Sequence, residues 1–260
     1  MKLFYKEYGD GQPVVLLHGL LGSFENWYTI AKSLAENHRV IVPDLRNHGR
    51  SPRSDNFDYT ALSTDLRELV NTLKLKNPVL VGHSMGGKTA MEFALRFPDL
   101  PKAIVIEDMV PGRTTPITGA YIEMLLKLDL VSAGYRRDLE DELFKKIGDR
   151  RVVLFLLKNL SRNSDGSFSW RSNLQALTEN YDSLWKGLRS GRSWDGPALF
   201  IRGGQSAIVA DDRFEEIFDF FPRAKIVTID NATHWVHFDA AEEFIGHIEG
   251  FLRGPVDGVV

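Results

Sequence analysis

Ser84 lies inside Gly82-His83-Ser84-Met85-Gly86, a G-x-S-x-G pattern whose surroundings decide what its hydroxyl can do. An apolar, strand-like run at 79–81 precedes it, and a helical pattern over 85–97 follows without a linker. At such a strand-to-helix turn the serine takes a strained backbone conformation, and the residues two before and two after it must lack bulk. The turn lifts the hydroxyl clear of the sheet, at a helix N-terminus whose free N–H groups and dipole favour negative charge. A serine so placed can attack an acyl carbon, provided that a base takes its proton and donors receive the carbonyl oxygen.

The sequence offers both. A His18-Gly19 pair closes the apolar run 14–17, and two backbone N–H groups can face a developing oxyanion. One is that of Met85, after the nucleophile, and the other that of Leu20 in this loop. His18 itself reads as a loop-stabilising residue. Of the seven histidines, His234 is the candidate base, in a small, turn-prone stretch just past the last strand. His237 is placed at the start of the final helix. His38, His48 and His247 read as surface or loop residues, and His83 as part of the turn but on its wrong side. The imidazole needs an acid to orient it and stabilise its cation. In the loop after 198–201, where an aspartate would be usual, Ser206 stands instead. Asp108, ending the run 103–108, is the first choice; Asp211, Asp212 and Glu107 are the other carboxylates in range, although strand alternation turns Glu107 to the opposite face.

Apolar runs at 14–17, 40–42, 79–81, 103–106, 198–201 and 225–229 alternate with helical patterns, as in an α/β protein with a mostly parallel sheet covered on both faces. Residues 2–8 add an antiparallel edge strand. Helices are expected over 60–74, 85–97, 211–221 and 240–252. The alternation breaks over 112–193, which reads as an all-helical cap (lid) with helices at 121–130, 138–147 and 151–160 and a loop at 161–169; residues 1–111 and 194–260 form the core. Ile117, Tyr121, Met124, Leu125, Phe155, Phe168 and Trp185 are candidate pocket walls or helix-packing residues. The chain has 260 residues, 43% hydrophobic, and a formal net charge of -3, so no global field favours nucleic acid or an anionic membrane. With no cysteine, disulfides, thiolate nucleophiles and Cys-ligated metals are excluded. The first nine residues lack the pattern of a secretory leader, and no stretch reaches the ~18 apolar residues of a spanning helix, so a cytoplasmic protein is expected.

With these residues assembled, the chain resembles the α/β-hydrolase superfamily over essentially its whole length. The His18-Gly19 loop, the stretch from Asp44 through Arg46, His48 and Gly49 to Ser51, the Gly82–Gly86 turn, and His234-Trp235-Val236-His237 match in order and spacing. More narrowly, it is similar to small bacterial esterases active on short acyl esters and acyl-CoA thioesters. In those the acid ends the strand after the nucleophile helix, within an Asp-x-x-Pro stretch that Asp108 and Pro111 reproduce. The resemblance implies a triad of Ser84, His234 and Asp108, oxyanion donors at Leu20 and Met85, and no metal or organic cofactor. The expected partner is a small-molecule acyl ester or thioester, handled by a monomer or small homo-oligomer. A C–C bond hydrolase, aminopeptidase, lactonase, perhydrolase or non-catalytic ligand-binding member of the fold are the competing expectations.

Overall fold

A strand buried on both faces must be apolar along most of its length, as the buried runs 14–17, 79–81, 103–106 and 198–201 are. The computed structural model describes residues 1–115, 119–189 and 191–254. Its strands are β1 (Tyr5–Tyr8), β2 (Gln12–Leu17), β3 (His38–Pro43), β4 (Val79–His83), β5 (Ala103–Glu107), β6 (Leu160–Arg162), β7 (Phe168–Trp170), β8 (Ala198–Gly203) and β9 (Ala224–Ile229). The helices are α1 (Tyr28–Leu34), α2 (Tyr59–Thr72), α3 (Met85–Arg96), α4 (Gly119–Leu126), α5 (Arg136–Ile147), α6 (Arg150–Leu157), α7 (Leu174–Glu179), α8 (Tyr181–Trp185), α9 (Phe214–Phe220), α10 (Val236–Asp239) and α11 (Ala241–Arg253). Seven strands form one sheet in the order β1-β3-β2-β4-β5-β8-β9, parallel except for the β1 edge.

The period of two along each strand divides the core. Val15, Leu17, Ile41, Leu80, Ile104, Ile106 and Phe200 pack with α2, α3 and α9 on one face. Val14, Leu16, Val40, Val42, Val81, Val105 and Ile201 pack with α1 and α11 on the other. Both faces are therefore covered by helices joined through right-handed crossovers, the usual solution for parallel strands.

The winding of the sheet reverses between β2 and β4: strands are added outward to β3 on one side and to β5, β8 and β9 on the other. Leu17 lies beside Gly82, His83 beside Glu107, and Glu107 beside Ile201. The loops leaving β2, β4, β5 and β9 thus open at one edge, beside the switch point where α/β sheets place their ligands. Between β5 and β8 the chain inserts α4 to α8. This insertion is not wholly helical: β6 and β7 pair as an antiparallel hairpin across 160–170, where a loop was expected. The two strands are three residues each and mostly half-buried, too short for alternation to register. Among the described residues no helix is long and apolar enough to cross a membrane.

Candidate active site

Ser84 joins β4 to α3 at φ 52° and ψ -114°, left-handed backbone in a residue with a Cβ. The strain is held by its surroundings. Ser84 N–H donates to the Glu107 carbonyl (3.1 Å), continuing the β4–β5 ladder, and Lys88 N–H returns to the Ser84 carbonyl (3.0 Å). A Cβ on Gly82 would come within 2.3 Å of the Gly86 carbonyl oxygen, and one on Gly86 within 2.2 Å of that of Leu17. Both positions admit glycine alone. Such strain persists only where the fold over-determines it, and it gathers at functional sites. Leu21 (φ 60°) and Asp108 (φ 45°) are strained likewise, at the loops leaving β2 and β5.

Asp108 is buried and accepts three hydrogen bonds: His234 Nδ1 (2.7 Å), the Gly203 N–H (3.1 Å) and the Ser206 hydroxyl. His234 Nδ1–H therefore donates to the carboxylate, which leaves Nε2 as the basic nitrogen. His234 is held at a second point, where its carbonyl accepts from His83 Nε2 at 2.9 Å, and the His83 and His234 ring centroids are 4.6 Å apart. His83 directly precedes Ser84, so this contact ties the His234 loop to the serine turn. No hydrogen bond joins Ser84 Oγ to His234 Nε2 among the described residues; contacts of this kind tighten once substrate is bound.

The other carboxylates are committed elsewhere. Asp211 is exposed and pairs with Arg202, Asp212 is exposed in the short turn before α9, and Glu107 binds His237. A Cβ on Gly19 would meet both His83 Nδ1 (2.8 Å) and Ser84 Cβ (3.4 Å), so the loop after β2 sits directly against the serine. Leu20 N–H donates to no acceptor among the described residues. Met85 is the first residue of α3, where backbone N–H groups have no partner within the helix. A strained serine and a carboxylate-bonded imidazole thus lie at the switch point, with the loop after β2 against the serine.

The sequence model described as alpha/beta hydrolase fold matches residues 12–241. The chain belongs to this hydrolase family. It is 38% identical over 253 residues to the sn-1-specific diacylglycerol lipase ABHD11 of Danio rerio, spanning 94% of this chain and 80% of that one. To esterase YbfF of Escherichia coli (strain K12) it is 31% identical, over 94% of each. A solved marine microorganism esterase superposes with a TM-score of 0.93 at 36% identity, over 96% of this chain and 99% of that one.

The rest of the hydrolase's site explains why the loop after β2 keeps its shape. His18 Nε2 accepts Leu45 N–H (2.9 Å) and His48 Nε2 accepts Leu21 N–H (3.1 Å). Each ring must then carry its proton on Nδ1, donating to the carbonyls of Gly19 and Arg46. Burial lowers His18 to about 4 and His48 to about 3, the His18 charge adding to the latter. Both are neutral struts at physiological pH. His48 was expected as a surface or loop residue; it lies in the loop after β3 but is fully buried, because that loop folds under the loop after β2. Asp44 anchors that fold by accepting the N–H groups of Phe24 (2.7 Å) and Arg50 (2.8 Å).

His38 is likewise buried, 3.3 Å from Glu249, while His247 is half-exposed beside Glu243. His237 lies not at the start of the final helix but in α10, a separate turn before it. Of the expected pocket walls, Ile117 lies outside the described residues. Leu125 and Trp185 are buried in the main core, and Tyr121, Met124, Phe155 and Phe168 are half-buried against it. Sequence reasoning gave Ser206, His83 and Lys88 no part. Lys88 is fully buried; its ammonium donates to the Lys186 carbonyl (3.2 Å) and burial lowers it to about 8. The available signal was position: Ser206 occupies the usual acid loop, and His83 and Lys88 flank Ser84 on the nucleophile turn. A groove of about 260 Å³ opens between α6 and the His234 loop, walled by Leu154, Phe155, Trp235 and Phe238, with Arg151 and Lys158 at its edge.

Proposed function

We propose that the protein is a serine carboxylesterase that hydrolyses small-molecule acyl esters, acyl-CoA thioesters included, through an acyl-enzyme. The reading rests on one observation above all: a buried carboxylate, Asp108, bonded to His234 Nδ1 beside a serine in a strained strand-to-helix turn. His234 Nε2 takes the Ser84 proton as Oγ attacks the acyl carbon, and Asp108 stabilises the imidazolium. The tetrahedral oxyanion rests on the Leu20 and Met85 N–H groups, one such donor being worth ~10²–10³ in rate. His234 then protonates the leaving alcohol or thiol, and water attacks the acyl-enzyme by the same route in reverse. In this reading the insertion between β5 and β8 serves as the cap, and the apolar groove beside Trp235 suits a substrate with a hydrocarbon portion. The lipase and esterase activities named for its relatives are of the same reaction class.

A panel of p-nitrophenyl acyl esters and acyl-CoAs of graded chain length tests the reading. Wild type should turn over both series with a chain-length optimum, and Ser84→Ala should lose on the order of 10⁴–10⁶ in rate while remaining folded. Near-wild-type turnover by Ser84→Ala would dismiss it.

A further inference from the structure

Glu107 and Asp108 are consecutive, and they hold two histidines three residues apart, His237 in α10 and His234 in the loop before it. Glu107 is fully buried on the face opposite to Asp108. Its carboxylate accepts the His237 backbone N–H (2.8 Å) and His237 Nδ1 (2.7 Å to one oxygen, 2.9 Å to the other). The His237 ring stacks on Trp27, centroids 4.6 Å apart and planes 30° apart, so it cannot turn. It also packs against the His83 ring, centroids 5.1 Å apart and planes at 63°. His83 in turn donates Nε2–H to the His234 carbonyl at 2.9 Å.

We propose that Glu107 and His237 form a second carboxylate–imidazole pair that positions His234 without touching substrate. The pair fixes the chain three residues beyond the base and wedges His83 against the carbonyl of the base itself. A strut of this sort controls height and tilt over Ser84, where a displacement of about 1 Å can cost on the order of 10² in rate. The apolar alternative at this place, a leucine pair, would fill the space but could not fix the loop's register. Two donors on one buried carboxylate impose a single arrangement. The inference takes His234 as the base, as proposed above.

The experiment compares kcat and KM for p-nitrophenyl acetate in wild type, His237→Ala, His237→Asn, Glu107→Ala and Ser84→Ala, each checked for folding by its melting curve. The Asn amide nitrogen takes the place of Nδ1 and keeps the bond to Glu107, whereas alanine keeps only the backbone donor. His237→Ala and Glu107→Ala should lose 10- to 100-fold in kcat with KM within about twofold. His237→Asn should stay within about threefold of wild type. The low-field proton resonance of His234 Nδ1–H should shift or broaden in the alanine variants and persist in His237→Asn. Wild-type kcat in a folded His237→Ala, or an equal loss in His237→Asn, overturns the proposal. If the alanine variants do not fold, His237→Gln replaces them. Its amide nitrogen sits where Nε2 was, so kcat should fall about tenfold below His237→Asn, and equal values overturn the proposal. Turnover surviving in Ser84→Ala would instead remove the nucleophile reading on which the inference stands.

Discussion

At the residue scale, the carboxylate facing His234 takes a hydroxyl from the position where an aspartate was looked for. Ser206 cannot oppose an imidazolium, but it can donate to an anion that does, and Asp108 receives it together with the Gly203 N–H. A buried carboxylate needs its oxygens satisfied, and three donors meet that need. Asp108→Asn keeps the volume but loses the charge, and its kcat should fall on the order of 10³–10⁴. Ser206→Ala removes one neutral donor, about 1–1.5 kcal/mol, so kcat should fall roughly tenfold. Asp211→Asn should stay within about twofold, since Asp211 is exposed and pairs with Arg202, away from His234. Steady-state kinetics on the three variants orders these effects, and a larger loss in Asp211→Asn than in Asp108→Asn would move the acid.

At the scale of elements, the nucleophile turn needs two backbones almost in contact, and the glycines on either side of Ser84 permit it. Gly86→Ala drives a methyl into the Leu17 carbonyl, which belongs to the central sheet and cannot move aside. Its melting temperature should drop by several degrees or the protein should fail to fold, with activity lost in either case. Gly250 offers the contrast. It lies in α11 with nothing within 4 Å of an added Cβ, so Gly250→Ala should stabilise by about 0.5–1 kcal/mol and raise the melting temperature. Helix and strand positions were legible in sequence because 79–81, 103–106 and 198–201 are continuous apolar runs, and Leu62, Leu66 and Leu69 recur at spacings of four and three. The hairpin of β6 and β7 was not, because Ser161, Arg162 and Ser169 carry the composition of a loop and their pairing is decided across the turn.

At the scale of the whole molecule, three imidazoles are buried at the switch-point edge. His18 and His48 are lowered to about 4 and about 3, and burial beside two other histidines holds His83 well below its ordinary value. In the unfolded chain each titrates near 6.5. Between pH 6.5 and about 4 the unfolded state therefore binds protons that the native state refuses. Their stabilisation is complete above pH 6.5 and drains away as the pH falls through that window. The melting temperature should fall by on the order of 5–10 °C between pH 7 and pH 5, read by calorimetry. A flat profile would mean that these rings are not held neutral.

The strained serine turn and the order of strands and helices followed from sequence alone, since each depends on neighbours along the chain: a glycine two residues away, an unbroken apolar run, a repeat of three and four. The partners of Asp108 and Glu107 did not. Which carboxylate meets which histidine depends on the register of β5 against β4 and β8, and on how the loop after β9 folds back over that edge. The burial of His48 likewise depends on the loop after β3 tucking beneath the one after β2. These are contacts between segments distant in sequence, and packing, not local preference, selects them.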